Sequence, residues 1–527
     1  MTLFSLNSFR AGAAVFSLSF LTSGFGQQAT PEMLDLGNTE ALTLSSALQL
    51  AFTNNLDIQI GSLVPGIYDD RYQAANGNFD PEFEMSVRGE DLATAQSTQE
   101  FVSTGGSTFE LDETDPEARI FDENNIRSEM QLIGKFTSGT EYELGLRANQ
   151  LENDLTRDNA TALFETEYKT FAGIVLTQPL LKDFGPGVNK SKLTVAAIDQ
   201  RISQWKFRQR VEEILVEISL DYFDQLMAYQ AFRGARKELE IAEATVETLQ
   251  DQLERGALSQ AEIRAARTEY VYTVERMLLA RQTLFLKNTD LQAGIRQDAD
   301  FADLPLIVPE PSMLLVAPEQ DFAGLATDAL KMNPAYKMAA EKIEKMNVEL
   351  RYHKNQKLPR LDLEATFGYN GIDEDYGGSF GETFGGQGHE YAVGLVLKVP
   401  LGNNEAKGRM GETEKMLQQA LLELKQIEQE LYHEIQRSLT SVKVSQMRMS
   451  ATAESRKNAE SNLEAAKSAL EKGIGSELLV MELEYDLLQS MMRELASRVD
   501  QQRSLLELYQ QTGTLLEHAG IEMERPE

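Results

Sequence analysis

The chain contains no cysteine, which excludes disulfides, thiolate metal sites, a cysteine nucleophile and a lipid anchor on cysteine. It also lacks any run of about 18 apolar residues, the length a membrane-spanning helix needs. If this protein crosses a membrane, it must do so as strands, because lipid tolerates only helices and closed barrels. Basic residues are scarce: 50 Lys and Arg face 83 Asp and Glu, a formal net charge of −33 over 527 residues. The acid is spread along the chain, and no basic stripe exists of the kind that nucleic-acid binding requires.

The four histidines, His353, His389, His433 and His518, are far apart. No HExxH, phosphate loop, GxSxG or zinc-ligand spacing occurs. No catalytic, cofactor-binding or metal-binding residue is therefore nominated, and no enzyme activity is expected. Met447, Met449, Met481, Met491 and Met492 fall at helical spacing and read as packing rather than soft-metal ligands. The lone Trp205 reads as packing in a helical seam.

Proline is missing from two long stretches. Val188 to Arg255 is helical in pattern and breaks at Gly256. Its apolar residues Val211, Ile214, Leu215, Ile218 and Tyr222, then Leu239, Ala242, Val246, Leu249 and Leu253, trace a coiled-coil seam. Glu405 to Lys472 is a second such run, ending at Gly473. At 1.5 Å per residue each would span roughly 100 Å, far beyond an ordinary globular helix.

Residues 1–26 read as a secretory signal: Arg10, a largely apolar run from Ala11 to Phe25, and Gly24 and Gly26 before the cut. Residues 27–40 form a flexible lead-in. Thr43 caps a first helix, and helical spacing resumes after Asn54-Asn55. The period then changes to two, the mark of a strand with one wet face. Glu82 to Arg88 alternates, and residues 91–126 read as a long exposed loop. Met130 to Arg147 forms a hairpin candidate around Ser138-Gly139, and Tyr168 to Gln178 is a strand ending at Pro179. A return helix runs from Leu258 to Gly294, and residues 297–320 form an irregular connector.

The plan then starts over. Ala323 to Asn355 is helical, interrupted at Asn333-Pro334. Leu361 to Phe367 and Tyr391 to Val399 alternate, separated by a Gly-rich loop at 371–388. Pro400 matches Pro179 at the strand-to-helix junction, and the turn at Gly473 answers the one at Gly256. An internal duplication is the economical reading, with repeats at 41–296 and 321–518 and a tail at 519–527. Leu361, Leu363, Phe367, Tyr391, Val393, Leu395 and Leu397 share one face, opposite Asp362, Glu364 and Lys398. In a barrel the first set would meet lipid and the second the lumen. So few strands cannot close a barrel within one chain, so several copies around one axis are required.

The ordered set Leu42-Thr43-Leu44, Ala47-Leu48, Asn54-Asn55, Gln178-Pro179-Leu180-Leu181 and Asn333-Pro334, with two glycine turns, resembles the TolC-like outer-membrane efflux protein family. The resemblance covers roughly residues 41–518. It implies a mainly helical fold with membrane strands: a homotrimer whose α-helical coiled-coil barrel continues into a shared outer-membrane β-barrel, four strands per chain. It further implies a passive exit duct in the cell outer membrane, reaching into the periplasm and serving a tripartite efflux or type I secretion system. The partners would be outer-membrane lipid, a periplasmic adaptor (membrane fusion) protein and an inner-membrane pump. Gly256, Ala257, Leu258, Gly473, Ile474 and Gly475 would be the adaptor-docking tips. Glu262 matches the family's acidic entrance; the second half has Leu479 at that position, with Glu482 one turn on. The 130–147 hairpin is extra and either extends the extracellular rim, the favoured reading, or adds barrel strands. A periplasmic coiled-coil scaffold or adaptor without a pore is the alternative, and the cargo is not legible.

Overall fold

The computed structural model describes residues 35–95, 97, 120–157, 162–256, 259–296, 304–310 and 315–523. The expected signal segment, most of the lead-in, Ala257, Leu258, parts of the connector and residues 524–527 lie outside the described residues. In chain order, β1 (Thr39–Leu42), α1 (Leu44–Asn54) and α2 (Leu56–Asn76) precede β2 (Glu82–Ala95), β3 (Ile120–Lys135), β4 (Glu141–Asn153) and β5 (Glu167–Pro179). Helices α3 (Ser191–Glu254) and α4 (Gln260–Ile295) complete the first half. The second half comprises β6 (Leu306–Pro309), α5 (Phe322–Met332), α6 (Pro334–Gln356), β7 (Arg360–Asp373), α7 (Tyr376–Gly385), β8 (Gly388–Lys398), α8 (Asn404–Glu471) and α9 (Glu477–Thr512).

Most elements of the two halves correspond. Helices α1 and α5 have 11 residues each, and the return helices α4 and α9 have 36 each. With 64 and 68 residues, α3 and α8 are each roughly 100 Å long. Val211, Ile214, Leu215, Ile218 and Tyr222 are buried in one cluster with Leu44, Leu48, Leu291 and Ile295. Further along α3, Leu239 and Leu249 are buried and Ala242, Val246 and Leu253 half-buried. Trp205 is buried as well.

On the strand side of the middle, helices pack in the order α2, α3, α6, α8; toward the glycine turns the order is α4, α3, α9, α8. The same two long helices thus run through both layers, and each layer is flanked by one helix from each half.

Six strands form one antiparallel sheet in the order β2, β3, β4, β5, β7, β8. The hairpin β3–β4 therefore lies inside the sheet, which has six strands where the resemblance implies four per chain. The loop expected at 91–126 is also too long, since β2 runs to Ala95 and β3 begins at Ile120. Stretches such as Asp122-Glu123-Asn124-Asn125 are polar on both faces, so period-two hydropathy vanishes while backbone pairing continues.

Two further expectations change. The Gly-rich loop at 371–388 contains α7, capped by Asp375, whose side chain accepts from the Gly378 N–H. Buried Ser379 and Thr383 on that helix lie 2.8 and 2.7 Å from the Thr170 hydroxyl, so tertiary packing overrides weak propensity. The connector is not wholly irregular either, because β6 pairs in parallel with β1. Four-residue strands joined across the whole first half leave no local signal.

Candidate functional site

Strand alternation divides the sheet into two chemically distinct faces. Register aligns Leu361 with Leu397, Leu363 with Leu395, Ala365 with Val393 and Phe367 with Tyr391. The same face continues through Ile174 and Leu176, Leu144 and Leu146, Met130 and Leu132, to Phe83 and Met85. Several of its members are bare: Val393 is 77% exposed, Leu395 66% and Phe83 65%. An apolar surface of this extent in water would be a liability, so it needs an apolar neighbour.

The opposite face carries Asp362, Glu364 and Lys398, as expected, with Arg127–Glu90 at 2.8 Å, Lys135–Glu141 at 3.3 Å and Arg360–Asp362 at 2.5 Å. Phe171 lies on this face across Gly173 and Gly368, where any Cβ would strike its ring. The Arg147 guanidinium stacks on that ring at 4.4 Å.

Each sheet half passes into a long helix through a left-handed corner. Pro179 is the last residue of β5, and Pro400 follows β8. Beyond them Asp183 and Gly185 have φ of 63° and 89°, and Gly402 and Asn403 have 91° and 50°. Both corners are tied to the end of α6. The Asn355 side chain accepts from the Asp183 N–H at 2.7 Å and donates to the Leu181 carbonyl at 2.9 Å, and Asn403 donates to the Lys357 carbonyl at 2.9 Å.

At the far end, the tips are built differently. Gly256 (φ 74°) and Gly473 (φ 75°) both take the left-handed turn that glycine favours. Gly475 packs so closely that a Cβ would meet the Leu470 nitrogen at 2.5 Å. Ile474 is 81% exposed. In the first tip Ser259 and Glu262 form a capping box: the Glu262 carboxylate accepts from the Ser259 N–H at 2.9 Å and its hydroxyl at 2.7 Å. Those bonds, the hydroxyl's first, hold the Glu262 carboxyl below its ordinary range. Glu482 is exposed on α9, and no bond joins it to Glu262 among the described residues.

Sequence reasoning missed the polar belt that holds the connector at mid-length. The Tyr222 hydroxyl bonds the Leu42 and Glu310 carbonyls at 2.9 and 2.8 Å, and burial pushes its pKa well up. Gln225 and Gln292 donate to Ile307 and Pro305, while Gln502 clasps Leu315 through both its amide atoms. Also missed was the buried pair Arg208–Glu212 at 3.2 Å, with Arg208 donating to the Gly513 carbonyl at 3.0 Å. Burial raises the Glu212 carboxyl to about 7, against the pull of the guanidinium. Only the four-residue spacing of two charges in an apolar seam could have flagged this pair. Among the described residues no His, Asp or Glu group has the arrangement of a metal site.

Residues 325–514 match the model of the outer membrane efflux protein family. No curated protein matches the chain in sequence. Solved structures with this fold include three outer-membrane proteins. VceC of Vibrio cholerae is 14% identical with a TM-score of 0.56, over 89% of this chain and 96% of that one. The CmeC channel of Campylobacter jejuni is 14% identical with a TM-score of 0.57, over 91% and 90%. The open MtrE channel of Neisseria gonorrhoeae is 15% identical with a TM-score of 0.53, over 90% and 89%.

Proposed function

Because its second half carries an outer membrane efflux protein domain, we propose that this chain is one subunit of a homotrimeric outer-membrane exit duct. The observation that carries this reading is the two-faced sheet that passes, through two tied corners, into helices of 64 and 68 residues. The apolar face meets lipid and the charged face lines water. A coiled-coil scaffold without a pore would leave the apolar face in water.

Ring closure follows from the edges. The sheet ends in β2 on one side and β8 on the other, and the helix layers end in α2 and α4 against α8. First-half edges of one copy then meet second-half edges of the next, a head-to-tail contact that closes by rotation. Helix α4 supports this with exposed pairs at Val271-Tyr272, Leu278-Leu279 and Phe285-Leu286, a heptad-spaced stripe suited to the next copy's α8.

The duct performs no chemistry. It receives cargo from an energised inner-membrane pump through a periplasmic adaptor that docks on the tips around Gly256 and Gly473. The matching halves descend from a duplicated unit. Reconstitution tests the pore: discrete, long-lived conductance steps in planar bilayers are expected from purified trimer, and a protein that binds vesicles without conducting would defeat the reading.

A further inference from the structure

We propose that the β3–β4 hairpin is part of the membrane wall, so that three copies enclose eighteen strands and the exit is as wide as the helical tunnel beneath it. This rests on the duct reading above.

Three observations place the hairpin in the wall rather than on the rim. First, β3 pairs with β2 and β4 along nearly its full length, and β4 pairs with β5 in turn. Second, its outward residues Met130, Leu132, Leu144 and Leu146 continue the apolar row that ends at Phe367 and Tyr391. Third, its turn reaches the helical end of the sheet. The Gly185 N–H at the strand-to-helix corner donates to the Ser138 carbonyl at 2.9 Å. Gly139 (φ 95°) sits so close to that corner that a Cβ would meet the Asp183 carbonyl at 2.4 Å. A rim ornament has no reason to descend the whole height of the sheet and lock there.

Width follows from spacing. A strand spaced about 4.8 Å from its neighbour and tilted about 40° takes roughly 6 Å of circumference, so six strands take about 38 Å. Four helices side by side at about 8–10 Å take about 32–40 Å. Four strands would cover only about 25 Å and would pinch the exit. Eighteen-stranded walls leave an aqueous channel, and here Phe171 lies flat over Gly173 and Gly368 instead of projecting inward. A wall of eighteen strands would thus be about as wide as the helical ring beneath it.

The test uses the single native tryptophan, replaced in the trimer by Trp205→Phe, with new tryptophans at Leu144→Trp, Met130→Trp and, as a reference, Val393→Trp. In vesicles of brominated lipid, all three are expected to be quenched to within about twofold of each other. Quenching of Val393→Trp alone would overturn the hairpin assignment while keeping the duct. No quenching at Val393→Trp would overturn the membrane reading and this one with it. End-on imaging of the unmodified trimer gives an independent readout. The barrel wall should be about 1.5 times as wide as twelve strands allow, and a twelve-strand diameter would overturn the proposal.

Discussion

The two halves of the chain agree in the ties that join their elements and differ in their sheets, one buried ion pair and their tips. Asn55 and Asn333 are the clearest agreement. Asn55 caps α2 by accepting from Asp57 and Ile58, and its amide donates to the Gly294 carbonyl at 3.0 Å. Asn333 caps α6 by accepting from Tyr336 and donates to the Gln511 carbonyl at 3.0 Å. Each asparagine thus ties the start of one helix to the end of the return helix in its own half. The differences lie elsewhere: a hairpin added to the first sheet half, a buried ion pair in α3, and two tips made by different capping chemistry. The asparagine ties between elements are repeated, while the sheet, one buried ion pair and the tips are not.

The ion pair offers the largest test of that asymmetry. Helix α3 buries Arg208 and Glu212, whereas the buried residues of α8 include no charged side chain. Glu212→Ala leaves Arg208 buried with only a carbonyl and should cost about 3–5 kcal/mol in thermal unfolding. The pair also sets a pH dependence. Because the folded Glu212 holds its proton to about 7, above its unfolded value, the folded state binds more protons in between. Stability should therefore fall as pH rises through that window, and Glu212→Gln should flatten the slope. An unchanged slope would remove Glu212 as its source.

Contrasting the two faces of β7–β8 comes next in size. Val393→Lys places a charge on the apolar face and should cost about 2–4 kcal/mol at mid-membrane, seen as loss of trimer from the outer-membrane fraction. Thr366→Lys, on the charged face, should assemble normally. Equal behaviour would mean that the faces are misassigned. The asparagine ties should then match each other: Asn55→Ala and Asn333→Ala should each cost about 1–2 kcal/mol, measured by thermal unfolding in detergent. A loss confined to one half would show that the correspondence is formal only.

The tips give the smallest effects. Gly256→Ala should loosen the first tip by about 1 kcal/mol, read from local hydrogen exchange. Gly475→Ala should disturb its own tip more, since the clash is with backbone. Glu262 contributes as a carboxylate, so its support of the first tip is present above its unfolded pKa and lost as pH falls through the lower folded value. Exchange at the first tip should rise in acid while the second tip, which has no capping box, stays unchanged.

Much of this was legible in the sequence because it rests on local periodicity. The seam from Val211 to Tyr222, the glycine stops, the Thr43 cap and the alternation of Leu361 to Phe367 are short-range patterns. Three kinds of feature were not. Residues 122–125 lie in a strand but are polar on both faces, so hydropathy could not reveal that part of it. Helix α7 is glycine-rich and held by Thr170, a contact across more than 200 residues of chain. The belt of Tyr222, Gln225, Gln292 and Gln502 serves a connector without periodicity, and only the folded chain brings these side chains to it. At the candidate tips the glycines are readable from turn chemistry, and the Ser259–Glu262 spacing of three is itself the signature of the capping box the structure forms.

The central claim is that these edges close into a ring of three in the outer membrane. Its most direct test is the native mass of the detergent-extracted protein from the outer-membrane fraction, with bound detergent subtracted. The account predicts three times the mass of the mature chain, in that fraction. A monomer or dimer recovered from the soluble periplasm would contradict it, because it would leave the apolar sheet face and the strand edges uncovered.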